Sequence, residues 1–268
     1  MIFTSCNLRK LRGELDRLLQ ECRSLPSRVR QYEGYNAVRD SIANSISAYS
    51  ILTDLQTQAI RPRHWVDILK ILNIGTVNHE KVSVGDLLNN GLLARKSDIQ
   101  SIIVRAQGEM ALELFLSEVK DAWSNPFHLI LYQNRVRLIK DWDELYTTLD
   151  DHLTQLALMP GSPYFTTSPS IPPIATTLTS NLTNLRAIFD SLIDVQRRWV
   201  YLESIFGSGS GGDVRGSLPA EWSRFQGVDK EFVQLMRKVS GKNSIMEVLN
   251  IESLVKGLER MGKVAFFL

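Results

Sequence analysis

The chain has 268 residues, 44% of them hydrophobic, enough for one long domain or two small ones with a sizeable core. Its 31 Lys and Arg stand against 29 Asp and Glu, so no field of one sign draws in nucleic acid or an anionic membrane, and a partner recruited by bulk charge is not expected. The longest apolar stretches fall well short of the roughly 18 residues of a membrane span, and the amino terminus lacks the order of a signal peptide, so the cytosol is the expected compartment.

Leu8, Leu11, Leu15, Leu18, Cys22 and Leu25 recur at spacings of three and four before Pro26, which predicts an amphipathic helix with a narrow, heptad-like stripe that needs a partner helix. Cys6 and Cys22 fall on this predicted helix and cannot pair without unwinding it; Cys22 reads as filler on its apolar face. A second helix is expected from about Tyr35 to Ala59, with Val38, Ile42, Tyr49, Leu52 and Leu55 on one side. Pro62 suits the first turn of a third helix that turns Trp65, Ile68, Leu69 and Leu72 inward. From Gly75 to Gly91 the helical period is lost and Gly and Asn accumulate, the composition of a joint.

Ser97 and Gln100 form a capping-box pattern that opens a helix reaching Trp123, with Ile99, Ile103, Met110, Leu114 and Val119 available for burial. The period then changes from helical to alternating: Phe127, Leu129 and Leu131, then Val136 and Leu138, predict a β-hairpin that turns near Gln133-Asn134. Asp141 and Glu144 repeat the capping-box spacing ahead of Leu145, Leu149, Leu153 and Leu156, a helix ending at Met159-Pro160. Prolines and small polar residues crowd Pro160 to Pro173, which reads as an exposed, mobile loop.

From about Leu178 the residues Ile188, Leu192, Val195, Trp199, Leu202 and Phe206 share one helical face that requires burial. The helix stops at Gly207 to Gly212. A further helix is expected from about Glu221 to Val239, and a last one from Met246 to Val264.

Several patterns resemble catalytic motifs, and context argues against each. The run Gly207 to Gly212 satisfies G-x-G-x-x-G, but it follows a helix where a dinucleotide loop follows a strand, so it reads as a flexible connector. Gly257 to Val264 misses a phosphate-binding loop by one residue, because Val264 replaces the hydroxyl that must meet magnesium, and its intervening residues favour helix. His64, His79, His128 and His152 lack carboxylates or cysteines at metal-ligand spacing, and Asp150-Asp151 beside His152 reads as solvated helix charge. Trp65, Trp123, Trp142, Trp199 and Trp222 are spread one to a helix, as core anchors are, and Arg197 and Arg198 read as a solvated face. No catalytic, cofactor-binding or metal-ligating residue is nominated, and no cofactor is expected.

Certain runs carry a resemblance. Leu25-Pro26-Ser27-Arg28-Val29-Arg30 with Tyr32, then Arg63-His64-Trp65, then Ala106-Gln107-Gly108-Glu109-Met110-Ala111-Leu112-Glu113 are followed by Tyr132-Gln133-Asn134, Trp142-Asp143 and Ser162-Pro163-Tyr164. Asp194-Val195-Gln196-Arg197-Arg198-Trp199-Val200-Tyr201-Leu202-Glu203 and Leu258-Glu259-Arg260 complete the order. The chain resembles the linker region of dynein heavy chains over most of its length, cytoplasmic ones most closely. Leu192 stands where many of those carry tryptophan, the Gly207 to Gly212 run is longer than the family's loop, and the family continues beyond the equivalent of Leu268 toward its first AAA+ module.

The resemblance implies an all-α (mainly α) fold, an elongated arm of helical bundles with one small β-hairpin. It implies a force-transmitting lever without catalysis of its own, moved by nucleotide turnover in an AAA+ ring that lies outside this sequence. The implied partners are that ring and the other dynein complex subunits, with microtubules engaged only through other regions and neither nucleic acid nor membrane bound; the location is cytoplasmic and microtubule-associated. The expected organisation is a helical bundle over 1–74, a hinge over 75–96, and a second helical part over 97–268 with the hairpin near 127–139 and flexible loops at 160–177 and 207–217. The rival reading is a static helical scaffold module that holds accessory chains.

Overall fold

In the computed structural model the chain folds into two compact units, residues 1–111 and 112–268. The structure describes residue 3 and residues 6–75, 81–207 and 217–266. His79, most of the Gly207 to Gly212 run and the end at Phe267-Leu268 lie outside the described residues. Among the described residues the architecture is mainly α with one two-stranded antiparallel sheet, as the sequence patterns indicate.

In the first unit, helix α1 (Leu8–Ser24) is capped by the Asn7 side chain, which accepts the Lys10 amide at 3.1 Å. Cys6 therefore precedes the helix instead of lying on it. Helix α1 packs on α2 (Glu33–Leu55). The heptad stripe is only partly used: Leu8 and Cys22 are buried, whereas Leu18 and Leu25 remain exposed, and on the expected face of α2 Val38 is exposed too. Helix α3 (Pro62–Ile71) begins on Pro62 as expected and buries Trp65, Ile68 and Leu69. Phe3 meets Trp65 edge to face at 5.2 Å. Gln56 holds the chain's start by donating to the carbonyls of Phe3 and Cys6, at 2.9 and 3.0 Å.

The stretch that reads as a joint contains a short helix, α4 (Val84–Asn89). Ser83 and Asp86 cap it reciprocally, each side chain accepting the other's amide at 3.0 Å. Gly91, at φ +79°, turns the chain away in the left-handed region where a side chain would be strained. Val82, Leu87 and Leu92 are buried in this unit's core.

Helix α5 (Lys96–Trp123) starts at Lys96, so Ser97 lies within its first turn, and the border between the units falls inside it. Its Leu114 is exposed rather than buried.

In the second unit, strands β1 (Leu129–Tyr132) and β2 (Val136–Ile139) pair with Tyr132 opposite Val136. Gln133 and Asn134 take positive φ values of 46° and 54°, the left-handed pair that a tight hairpin turn demands. The expected capping box at Asp141 does not form. Asp141 is itself left-handed, at φ 59°, and its carboxylate engages the His128 ring instead of the helix amides.

Helix α6 (Trp142–Leu158) leads through a 3-10 turn to α7 (Ile171–Phe206), a 36-residue helix. This helix begins seven residues before the expected Leu178, because Pro172 and Pro173 occupy its first turn, where a missing amide costs nothing. Gly207 ends it: a Cβ there would lie 2.3 Å from the Glu203 carbonyl oxygen. Helix α8 (Pro219–Ser240) follows. The expected last helix divides into a 3-10 segment (Ile245–Asn250) and α9 (Leu254–Phe266). Helix α7 packs against α6, α8 and α9, and α8 also reaches β2.

Candidate functional site

Helix α7 buries Ile188, Leu192, Val195, Trp199, Leu202 and Phe206, the complete face read from the sequence. Phe189 lies at the centre of an aromatic cluster, with the rings of Trp123, Phe127, Trp142 and Tyr146 all within 6.3 Å of it. Further along, Trp199 stacks on Phe232 of α8 at 4.6 Å and takes Tyr132 of β1 edge-on at 5.8 Å.

Polar groups fix this apolar seat in register. Gln196, buried on α7, accepts the Ile139 amide at 3.1 Å and donates to the Ile139 carbonyl at 2.9 Å, a two-bond clamp on β2. Two turns on, the buried Glu203 accepts from the Gln133 amide group at 2.9 Å and from the Tyr132 hydroxyl at 3.3 Å. Burial and the neighbouring Glu203 push the Tyr132 hydroxyl pKa up. Asp229 of α8 accepts the Trp199 indole N–H at 3.2 Å and pairs with Arg135 of the hairpin turn. The hairpin is thus fastened at its turn and at its far strand to two helices.

The first unit holds a different kind of polar centre. Glu109 of α5, 1% exposed, receives Arg63 at 2.5 Å and the His64 Nε2 at 3.0 Å, with Arg105 at 3.9 Å and pairing also with Asp67. His64 Nδ1 accepts the Arg61 amide at 3.0 Å, which closes the first turn of α3 and places the ring proton on Nε2. Burial pushes the His64 pKa down, against the pull of Glu109. In the second unit His152 Nδ1 accepts the Trp123 indole N–H at 2.9 Å, and burial lowers its pKa as well.

The Arg63-His64-Trp65 and Gly108-Glu109 runs therefore meet in space, a contact across 45 residues that no spacing rule reveals. His128 likewise finds Asp141, and Asp150 pairs with Arg186. Trp65, Trp123 and Trp199 are buried anchors, whereas Trp142 and Trp222 are half-buried. Arg197 is exposed and Arg198 pairs with Asp194. Gly257 to Val264 lies within α9, whose amides point along the helix axis, so it forms no phosphate-cradling loop.

Among the described residues no group of three His, Cys, Asp or Glu is placed to hold a metal ion, and no helix is long and apolar enough to cross a membrane. A cavity of about 250 Å³ between Trp123, Phe127, Ile139 and the first turns of α6 is smaller than an ordinary ligand pocket. What Gln196, Glu203, Asp229 and Glu109 accomplish chemically is fixation: each holds one element against another.

Comparison with known proteins gives a consistent answer. A family model described as "Dynein heavy chain, N-terminal region 2" matches residues 1–264. A cytoplasmic dynein heavy chain of Drosophila melanogaster is 40% identical over 255 residues, covering 95% of this chain and 5% of that protein. The Neurospora crassa counterpart is 36% identical over 265 residues, covering 98% of this chain and 6% of its own length. That of Dictyostelium discoideum is 38% identical over 255 residues. The chain spans about one twentieth of these relatives.

Proposed function

Because the chain belongs to the dynein heavy chain family, in its N-terminal region 2, we propose that it is the force-transmitting linker segment of a cytoplasmic-type dynein. The observation that carries this reading is the seat of α7. A 36-residue helix, buried along one face and tied to the hairpin through Gln196, Glu203 and Asp229, is the kind of strut that passes a displacement on without absorbing it. Nucleotide turnover belongs to an AAA+ ring elsewhere in the heavy chain. The arm binds no nucleotide and moves with the ring in the cytoplasm, on microtubules that other regions grip. Compliance is assigned to residues 75–91, which join α3 to α5 through the short helix α4 instead of a long one.

The reading is tested in a complete heavy chain carrying this sequence. Gln196→Leu combined with Trp199→Phe softens the seat; microtubule gliding should slow while ATP turnover persists. A static scaffold predicts unchanged gliding and loss of accessory subunits, and that result overturns the lever. Calorimetry of the 268-residue chain with ATP should give no binding heat, and micromolar binding overturns the passive arm. Hydrogen exchange as slow across 75–91 as in α3 and α5 removes the hinge.

A further inference from the structure

The bulk charge balance conceals a local excess. Residues 8–32 carry seven Lys and Arg against three Asp and Glu, while the rest of the first unit holds eight of each. The same segment ends in exposed apolar side chains: where α1 passes into α2, Leu25, Val29 and Tyr32 stand 40%, 36% and 69% exposed, and Leu18 of α1 and Val38 of α2 are exposed as well.

This end is held in shape by its own bonds. Arg30 donates through Nη2 to the Arg23 carbonyl at 2.7 Å and through Nε to the Leu25 carbonyl at 3.0 Å, closing the carboxyl end of α1. The Val29 amide donates to Pro26 and the Tyr32 amide to Val29, at 2.9 and 3.2 Å. Arg23 and Arg28 are exposed and have no carboxylate partner among the described residues. Nearby acids are partly occupied, since Glu21 pairs with Arg17 and Asp40 with Arg39.

A tyrosine and aliphatic side chains set in a fixed frame and flanked by unpaired guanidinium groups have a complement that is apolar and acidic. We propose that the α1–α2 end, at Arg23, Leu25, Arg28, Val29 and Tyr32, docks an acidic amphipathic helix of a partner protein. Its carboxylates meet Arg23 and Arg28, and its aliphatic face covers Val29 and Tyr32. A bilayer is a poorer complement, because Leu8 and Cys22 of the α1 stripe are buried and leave no continuous apolar face to enter lipid. The assignment is independent of whether the chain is a lever or a scaffold.

The test uses the 268-residue chain and three probes: a fluorescent amphipathic helix of Glu and Leu, a Glu and Ser peptide of equal length and charge, and vesicles of phosphatidylserine in phosphatidylcholine. The amphipathic peptide should bind saturably, more tightly than the polar one, and more weakly as salt rises. Arg23→Glu with Arg28→Glu should weaken it by about tenfold or more, and Tyr32→Ala, which alters no charge, by a similar factor. Lys256→Glu in the second unit should change nothing, with circular dichroism confirming the fold of each variant. Absence of saturable binding, equal binding of the two peptides, indifference to either the charge reversal or Tyr32→Ala, or vesicle binding that exceeds peptide binding each overturns the proposal.

Discussion

Both units bury carboxyl groups, and they satisfy them in different ways. Glu109 is met by cations, with Arg63 and Arg105 converging on it beside His64, and the arrangement ties α3 to α5 through charge. Glu203 is met by a phenol and an amide, with no cation at ion-pair distance among the described residues, and it ties α7 to the hairpin through neutral donors. Asp229 lies between the two, with the Trp199 indole on one oxygen and Arg135 on the other. A centre built on charge tolerates the loss of a partner poorly, since every remaining charge then lacks compensation, whereas a neutral centre loses only individual hydrogen bonds.

The sharpest way to break this contrast is a matched substitution. Glu109→Gln should cost about 2–3 kcal/mol in urea unfolding, less than a fully dry pair because Arg63 and Arg105 each keep about a third of their side chains in water. Glu203→Gln retains an acceptor for Tyr132 and Gln133 and should cost under about 1 kcal/mol; equal losses would erase the distinction.

Gln196→Leu tests the neutral network at its most committed point. It strands the Ile139 amide and carbonyl together, for about 1–3 kcal/mol, and should raise amide exchange in β2 before it raises exchange elsewhere. Ser83→Ala removes a helix cap at the surface of the first unit and should cost about 1 kcal/mol by the same measurement.

Acid should act through both units at once. His64 and His152 have folded pKa values below the ordinary 6.5, so between the folded and unfolded values the unfolded chain binds more protons. The stability these two histidines contribute is therefore fully present above about pH 6.5 and is lost as the pH falls below it. His64→Gln and His152→Gln should each flatten that decline, and a slope unchanged in both variants would remove the histidines as its cause.

Much of this was legible from periodicity. The buried face of α7, the Pro62 start of α3 and the Gln133-Asn134 turn follow from local rules, because local sterics decide them. Local rules failed where a side chain had a better distant offer. Asp141 fits a capping box but turns to His128, and Pro172 and Pro173 look like helix breakers until their place in a first turn is known. His64 and Glu109 gave no signal together, since two residues 45 apart in sequence share no spacing. The α1 stripe overstates burial for a related reason: a heptad stripe records what a helix could bury, and among the described residues nothing covers Leu18 or Leu25.

The Gln196 clamp has one more consequence. A two-stranded sheet leaves the outer amides and carbonyls of each strand available to any passing extended chain, the geometry by which proteins aggregate edge to edge. At Ile139 one side chain offers both the acceptor and the donor that a third strand would bring, and it comes from a helix, which cannot extend the ladder. The bond pair that steadies the hairpin also occupies the edge of β2 at Ile139 against recruitment by a neighbouring molecule.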